Sequence, residues 1–297
     1  MEGVESQGRR GGLVSSKGLR RLKDRLAYCL GLLCVLVAIV PLASILFEVV
    51  KNGIPAMSIG FLTSPPGIFD QPGGGIATAI QGTLILVGLT CLIGVPIGLL
   101  SGVFRAEFGN NRFGRAIRFL NDVLTEFPSI VVGILAYSIL VVSIGSYSAI
   151  AGAAALAIIM LPIVTRTTEE SIKIVPSSIR DAAMALGIRR WRASISVILS
   201  TARGGIITGI LLSVARIAGE TAPLLLTVLG TQFFFSGLNQ PLDALPLRIY
   251  RNASLPYAFA RQQGWGAALV LILLVLGLNL GVRVATRGRH VGGRSRL

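Results

Sequence analysis

The sequence is short of the residues that soluble chemistry uses. Only 14% of its 297 residues are charged while 53% are hydrophobic. That balance excludes an ordinary soluble domain, where charged residues approach a quarter of the chain. There is one histidine, His290, in a basic tail and without a partner. The three cysteines, Cys29, Cys34 and Cys91, all fall in apolar runs, which speaks against a disulfide framework or a thiolate metal site. The phosphate loop Gly-x-x-x-x-Gly-Lys-Ser/Thr does not occur, so the chain is not expected to hydrolyse ATP alone. No nucleophile–base set and no metal-ligand cluster stands out. No catalytic residue, metal site or bound cofactor is assigned, and the chain is not expected to be an enzyme.

What is present is apolar length. Six runs are each long enough to cross a bilayer, which takes about 20 residues. They are Ala27 to Val50, Thr78 to Val103, Val123 to Ile144, Ser148 to Val164, Gly204 to Gly230 and Trp265 to Val284. Backbone polar groups in hydrocarbon must be satisfied within the segment, so these runs are expected to be helices. They lack the two-residue alternation of a barrel strand. The fold class expected is all-α, a polytopic membrane protein of about six spans embedded in a lipid bilayer.

The net charge of +15 has an explanation other than nucleic acid. Of 28 Lys and Arg, 23 fall on a single side in one topology, with Arg283 at the inner end of the last run among them, four fall opposite, and Arg216 lies in the middle of a run. This is the asymmetry of cytoplasmic loops. It puts residues 1–26 and 285–297 inside as basic tails around a permease domain at 27–284, with both termini cytoplasmic. A basic surface interleaved with exposed aromatics, the mark of a nucleic-acid binder, is absent. Arg248, Arg251 and Arg261 fall on the outer side, where solvation is the expected reading.

Gly94, Gly98 and Gly102 recur at four-residue spacing, a pattern that lets helix backbones approach closely. Ordinary helix packing is the expected use.

Two stretches carry the functional reading. The first lies in the longest inside loop, Thr165 to Arg203. Pro176-Ser177-Ser178 reads as a helix start with serine oxygens as caps, and Asp181 suits the positive end of the helix dipole. Ala182, Ala183, Met184, Ala185 and Leu186 are strong helix formers, and Gly187 ends the helix. The residues allow two readings: a handle that another protein grips closely through small side chains and the apolar anchors Met184 and Leu186, or a surface helix that grips nothing.

The second is Gly204 to Gly230, with Arg216 and Glu220 four apart on one helix face. Charge at membrane depth costs at least about 2.5–3.5 kcal/mol, so the pair should face protein or water. Gly219 permits a bend, Pro223 removes a backbone donor, and Thr221 offers a hydroxyl at the break. Again two readings stand. Arg216 attracts an anion in transit while Glu220 gates it, or the two only neutralise each other and hold the fold.

Asp181-Ala-Ala-x-x-x-Gly187 followed nine residues on by Val197-x-Leu199 resembles the coupling loop of binding-protein-dependent ABC importers, Glu-Ala-Ala-x-x-x-Gly then Ile-x-Leu-Pro. Asp181 stands for Glu, Val197 for Ile, and Ser200 for Pro, which leaves the turn after the loop less defined. Ala215-Arg-Ile-Ala-Gly-Glu-Thr-Ala-Pro-Leu-Leu225 is similar to the permease pair of the phosphate-specific importers. Gly74 to Thr83, Pro128 to Gly133 and Trp265 to Leu274 look like the same family. The resemblance implies a type I importer permease fold in a bacterial inner membrane. It implies inorganic phosphate as substrate, a related second permease subunit, two ATPase subunits carrying ATP and Mg, and a phosphate-binding protein. It makes Asp181 to Gly187 the helix that docks on the ATPase. An importer for another oxyanion, or a stand-alone channel or secondary transporter, remains the alternative.

Overall fold

The computed structural model describes residues 12–67 and 73–287. The extreme termini, with His290, lie outside the described residues. The chain divides into two units, Met1–Lys51 and Asn52–Leu297.

The first unit is carried by one helix, α1, Gly12–Gly53, with Pro41 inside it. The basic stretch expected as a tail to residue 26 is helical from Gly12, so Lys17 to Arg25 fall in the first turns of α1. From Leu26 to Phe47 its large apolar side chains are exposed. A helix apolar on every face belongs in lipid.

The second unit opens with a single-turn helix α2, Ile59–Thr63, whose first turn is capped by Ser58 Oγ accepting from the Phe61 amide. Two long helices then form the centre, α3 (Ala77–Phe108) and α7 (Ala149–Lys173). Their contact is built on the glycine stripe. A methyl group at Gly98 would fall 2.8 Å from Val164 Cβ, and one at Gly102 would fall 2.7 Å from the Thr165 carbonyl oxygen. Side-chain-free positions therefore set how closely the helices approach, the packing use expected of them. Around this contact Leu86, Leu156, Met160, Ile217, Leu224 and Leu247 fill one buried cluster.

The third apolar run is not one straight span. It is divided between α4 (Arg112–Glu126) and a second piece, α5 (Ser129–Ala136), which runs through a π-helical turn at Tyr137–Val141 into α6 (Val142–Ile144). The two pieces meet at 107°. The residue before a proline avoids helical backbone, and Phe127 is extended at φ −70°, ψ 128°. Pro128 therefore caps α5 from outside rather than occupying its first turn. A tight turn follows α6, with Gly145 at φ +77°.

The inside loop is shorter than expected, since α7 continues to Lys173 and the next apolar helix starts at Arg190. Between them lies α8 (Ser177–Ala185). A short α9 (Arg190–Ala193) continues through a π-helical turn at Ser194–Ile198 into α10 (Leu199–Ala218). No turn forms at Ser200: without a proline the helix runs on. The fifth run is corrected too. It is not one 27-residue helix, because α10 stops at Ala218 and a short α11 (Ala222–Thr227) follows.

The outer loop after it contains α12 (Leu245–Ser254), and α13 (Ala258–Arg287) closes the chain. Arg248 is not solvated as expected. It is 2% exposed and its guanidinium bonds the Asp243 carboxylate. Among the described residues five helices are long and apolar enough to cross a membrane, or six with the bent pair counted as one span.

Candidate functional site: the exposed loop helix and the charged helix break

The helix at Ser177 to Ala185 forms where the residues require it, with its ends made differently from expectation. Neither serine caps it. Pro176 is the cap, its carbonyl accepting from the Ile179 amide at 3.2 Å. Asp181 is the fifth residue, one turn past the position where an acid meets the positive end of the dipole. The far end follows the expected logic. The Ile188 amide returns to the Ala183 carbonyl at 3.2 Å and the Gly187 amide to Met184 at 2.9 Å, with Gly187 at φ +76°. This pair of reverse bonds is the Schellman closure, and it uses the left-handed backbone that glycine adopts without cost.

The helix divides its side chains between two surfaces. Ala183 is buried, α8 packing on α9 and on the π-helical turn that follows it. Asp181, Ala182, Met184 and Leu186 point outward, with Leu186 82% exposed. The apolar anchors are thus on the open face, together with the small residues Ala182 and Ala185 that permit close approach there.

Sequence reasoning missed what holds this helix. Glu107, at the end of α3, is 4% exposed. Its carboxylate accepts from Arg180 Nη2, and its carbonyl accepts from Arg190 Nη2 at 2.6 Å. The Arg190 guanidinium also lies 5.2 Å over the Phe108 ring. A second acid, Glu169 on α7, is 4% exposed and meets Arg105 of α3 at 2.8 Å, Lys173 at 2.6 Å and Arg118 of α4 at 3.7 Å. It borders a polar cavity of about 410 Å³. The available signal was an acid standing inside an otherwise cationic stretch, and for Glu169 a lysine four residues on.

The charged break lies at the other end of α10. Arg216 is in its last turn, and Gly219, at φ −98° and ψ −3°, ends it. Pro223 is the second residue of α11, where no amide is needed. It begins the new helix and is buried. Its Cα lies where a methyl group on Gly133 of α5 would fall, at 2.7 Å, so α11 and α5 approach closely. Arg216 Nε and Glu220 Oε1 are 3.6 Å apart. The partners are unequal, Arg216 being 60% exposed in its side chain and Glu220 16%. Thr221 is half-buried beside them. Arg216 also borders a crevice of about 40 Å³ shared with Thr125, Phe127, Ser129 and Pro162. Two interrupted helices, at Phe127–Pro128 and at Gly219–Thr221, therefore meet near one guanidinium. Among the described residues no group of three or more His, Cys, Asp or Glu could hold a metal.

Apolar helices long enough to cross a bilayer, one of them broken beside a charge, make this a polytopic membrane protein. A family model described as the binding-protein-dependent transport system inner membrane component matches residues 94–287, and the chain belongs to that family. It is 43% identical over 267 residues to the phosphate transport system permease protein PstA of Pasteurella multocida, covering 89% of this chain and 95% of that one. It is 38% identical over 275 residues to the probable phosphate transport system permease protein PstA of Methanocaldococcus jannaschii, covering 92% and 97%. Among solved structures, a chain of a bacterial ABC transporter that imports the acidic polysaccharide alginate matches with TM-score 0.65 at 16% identity, over 91% of this chain and 97% of that chain. A chain of the inward-facing MetNI methionine ABC transporter matches with TM-score 0.57 at 17% identity, over 72% and 96%. These likenesses show the fold.

Proposed function

We propose that this chain is the membrane-spanning permease subunit of an ABC importer that carries inorganic phosphate inward. The observation that carries the reading is the near full-length likeness to PstA permeases. The exposed helix ending at Gly187 and the guanidinium at a helix break are the parts such a subunit needs. Its partners on this reading are a PstC-type second permease subunit, two PstB-type ATPase subunits that hold ATP and Mg, and a PstS-type phosphate-binding protein. The chain lies in the inner membrane with both termini cytoplasmic, as the distribution of Lys and Arg favours.

On this reading each part of the chain has a role. The ATPase seats on Asp181, Ala182, Met184 and Leu186, while Ala183 and Gly187 hold the helix in shape. Movement of α8 tilts the spans between outward-open and inward-open states. Phosphate passes Arg216, whose planar guanidinium suits phosphate oxygens. Glu220 and Thr221 keep that contact weak enough for release. Gly219 and Pro223 supply the helix break.

The test is phosphate uptake in cells carrying Gly187→Glu, with membrane-inserted protein and ATPase co-purification measured alongside. Gly187→Asn is the control, because Asn tolerates left-handed backbone. We expect Glu to abolish uptake and ATPase association at normal protein level, and Asn to keep most of both. Unchanged uptake with Glu would refute the docking role.

A further inference from the structure

We propose that Glu107 is the positioning residue that ties the coupling helix to α3, so that movement of α8 reaches the central α3–α7 pair through one buried carboxylate. The proposal deepens the permease reading and rests on it.

Three observations carry it. First, Glu107 is the meeting point of both flanks of the loop. Arg180 from α8 reaches its carboxylate, and Arg190 from α9 reaches its carbonyl. Two cations more than seventy residues away in sequence converge on one residue at the last turn of a long helix. Second, the contact is enclosed. The Glu107 side chain is 1% exposed and that of Arg180 is 25% exposed, so salt screens the pair far less than a surface pair. Third, the pair is joined by one arm. Glu107 Oε2 and Arg180 Nε are both buried without a hydrogen-bond partner, although a guanidinium and a carboxylate can pair through two parallel bonds. The unused donor and acceptor lie on the two residues already in contact. A small shift of α8 toward α3 would mate them, and a shift away would release the first bond. The pair is thus a joint with a looser and a tighter arrangement, placed between the helix that a partner moves and the helix that must respond.

The link from α3 onward is rigid. The Glu107 turn is continuous with the Gly94–Gly102 contact to α7, and packed interiors transmit displacement rather than absorb it. The rest of α8 rests on its own neighbours, α9 and the π-helical turn. Removing the Arg180 arm should therefore leave α8 folded and its outer face intact while loosening its hold on α3.

The experiment uses the whole importer in proteoliposomes, with phosphate uptake and ATP hydrolysis measured together. Glu107→Gln keeps the shape and removes the charge. Arg180→Ala removes the same arm from a partly exposed side chain and decides the matter if the Glu107 variant fails to reach the membrane. The expected result is ATPase co-purification and ATP hydrolysis near wild type, with phosphate moved per ATP reduced about ten-fold, within the range that coupling between sites spans. An unchanged ratio in Arg180→Ala overturns the proposal, as does loss of ATPase association in that variant, which would make Arg180 part of the docking face instead. A wild-type complex that couples normally alongside such variants leaves the permease reading standing. A wild-type chain that binds no ATPase overturns both.

Discussion

Arg105 Nη2 of α3 and Glu169 Oε2 of α7 stand 2.8 Å apart, and both side chains are more than nine-tenths buried. Lys173 and Arg118 approach the other oxygen of the same carboxylate. One acid thus joins α3, α4 and α7 at the end of the bundle that carries α8. Removing one member of a buried pair leaves the other uncompensated, which typically costs about 3–5 kcal/mol. Glu169→Ala should therefore lower the thermal midpoint of the detergent-solubilised protein strongly. Lys173→Ala touches the same carboxylate from an exposed position and should cost no more than about 1 kcal/mol. Equal losses in the two melts would show that burial does not set the value of this cluster.

The α3–α7 contact makes a sharper prediction. A methyl group at Gly102 would meet Thr168 Cβ at 2.6 Å and the Thr165 carbonyl oxygen at 2.7 Å, whereas one at Gly88 would have nothing within 4 Å. Overpacking of this kind costs about 1–3 kcal/mol. Gly102→Ala should destabilise by that amount, while Gly88→Ala should be neutral or slightly stabilising because alanine is the better helix former. Melting both variants in one detergent checks the contrast.

The glycine stripe, the short helix α8 and its closing glycine were legible in sequence because each is a local pattern. Four-residue spacing reports a helix face, and Gly187 after a run of helix formers reports an end. The ends of other elements were less legible. Phe127–Pro128 divides an apolar run without changing its composition, so hydropathy read a straight span across a 107° bend. The charge pattern placed Arg248 in water, but Asp243, five residues earlier, takes it into the interior. Glu107 and Glu169 were missed for a related reason: their partners are brought by helix packing, and nothing in the spacing of Glu107 and Arg180 announces that they meet. The charged pair at Arg216 and Glu220 was visible from its four-residue spacing, while its position at a helix end was not.

Arg248 offers a test of how buried charge behaves in the outer loop. Its guanidinium bonds the Asp243 carboxylate and reaches the Thr231 carbonyl at 3.3 Å, while Thr78 Oγ1 donates to Asp243 at 3.2 Å. The network joins α3 to the segment that leads into α12. Arg248→Met alone strands a buried carboxylate. Arg248→Met with Asp243→Leu removes both charges, and such joint replacement is often close to neutral. The double variant should therefore melt above the single. A double variant no better than the single would mean that the hydrogen bonds from Thr78 and to Thr231, rather than the charge balance, hold the loop.

The last prediction separates transport from structure at Arg216. Arg216 has its side chain 60% exposed and stands 3.6 Å from Glu220, whose side chain is 16% exposed, so a glutamine at 216 gives up only a long ion pair and can still hydrogen-bond the carboxylate. Arg216→Gln should then change the melting behaviour and the co-purification of partner subunits little. Its effect should fall on uptake, because glutamine keeps hydrogen-bonding capacity but lacks the fixed charge and planar fork that hold a phosphate. We expect uptake reduced by about ten-fold or more, the scale of one charge-assisted hydrogen bond at roughly 1.5–3 kcal/mol, at normal levels of inserted protein. Glu220→Gln should act in the opposite sense on binding, since it removes the anion that competes for the same guanidinium. Loss of assembly in Arg216→Gln would assign the pair to the fold, and normal uptake would remove Arg216 from the phosphate path.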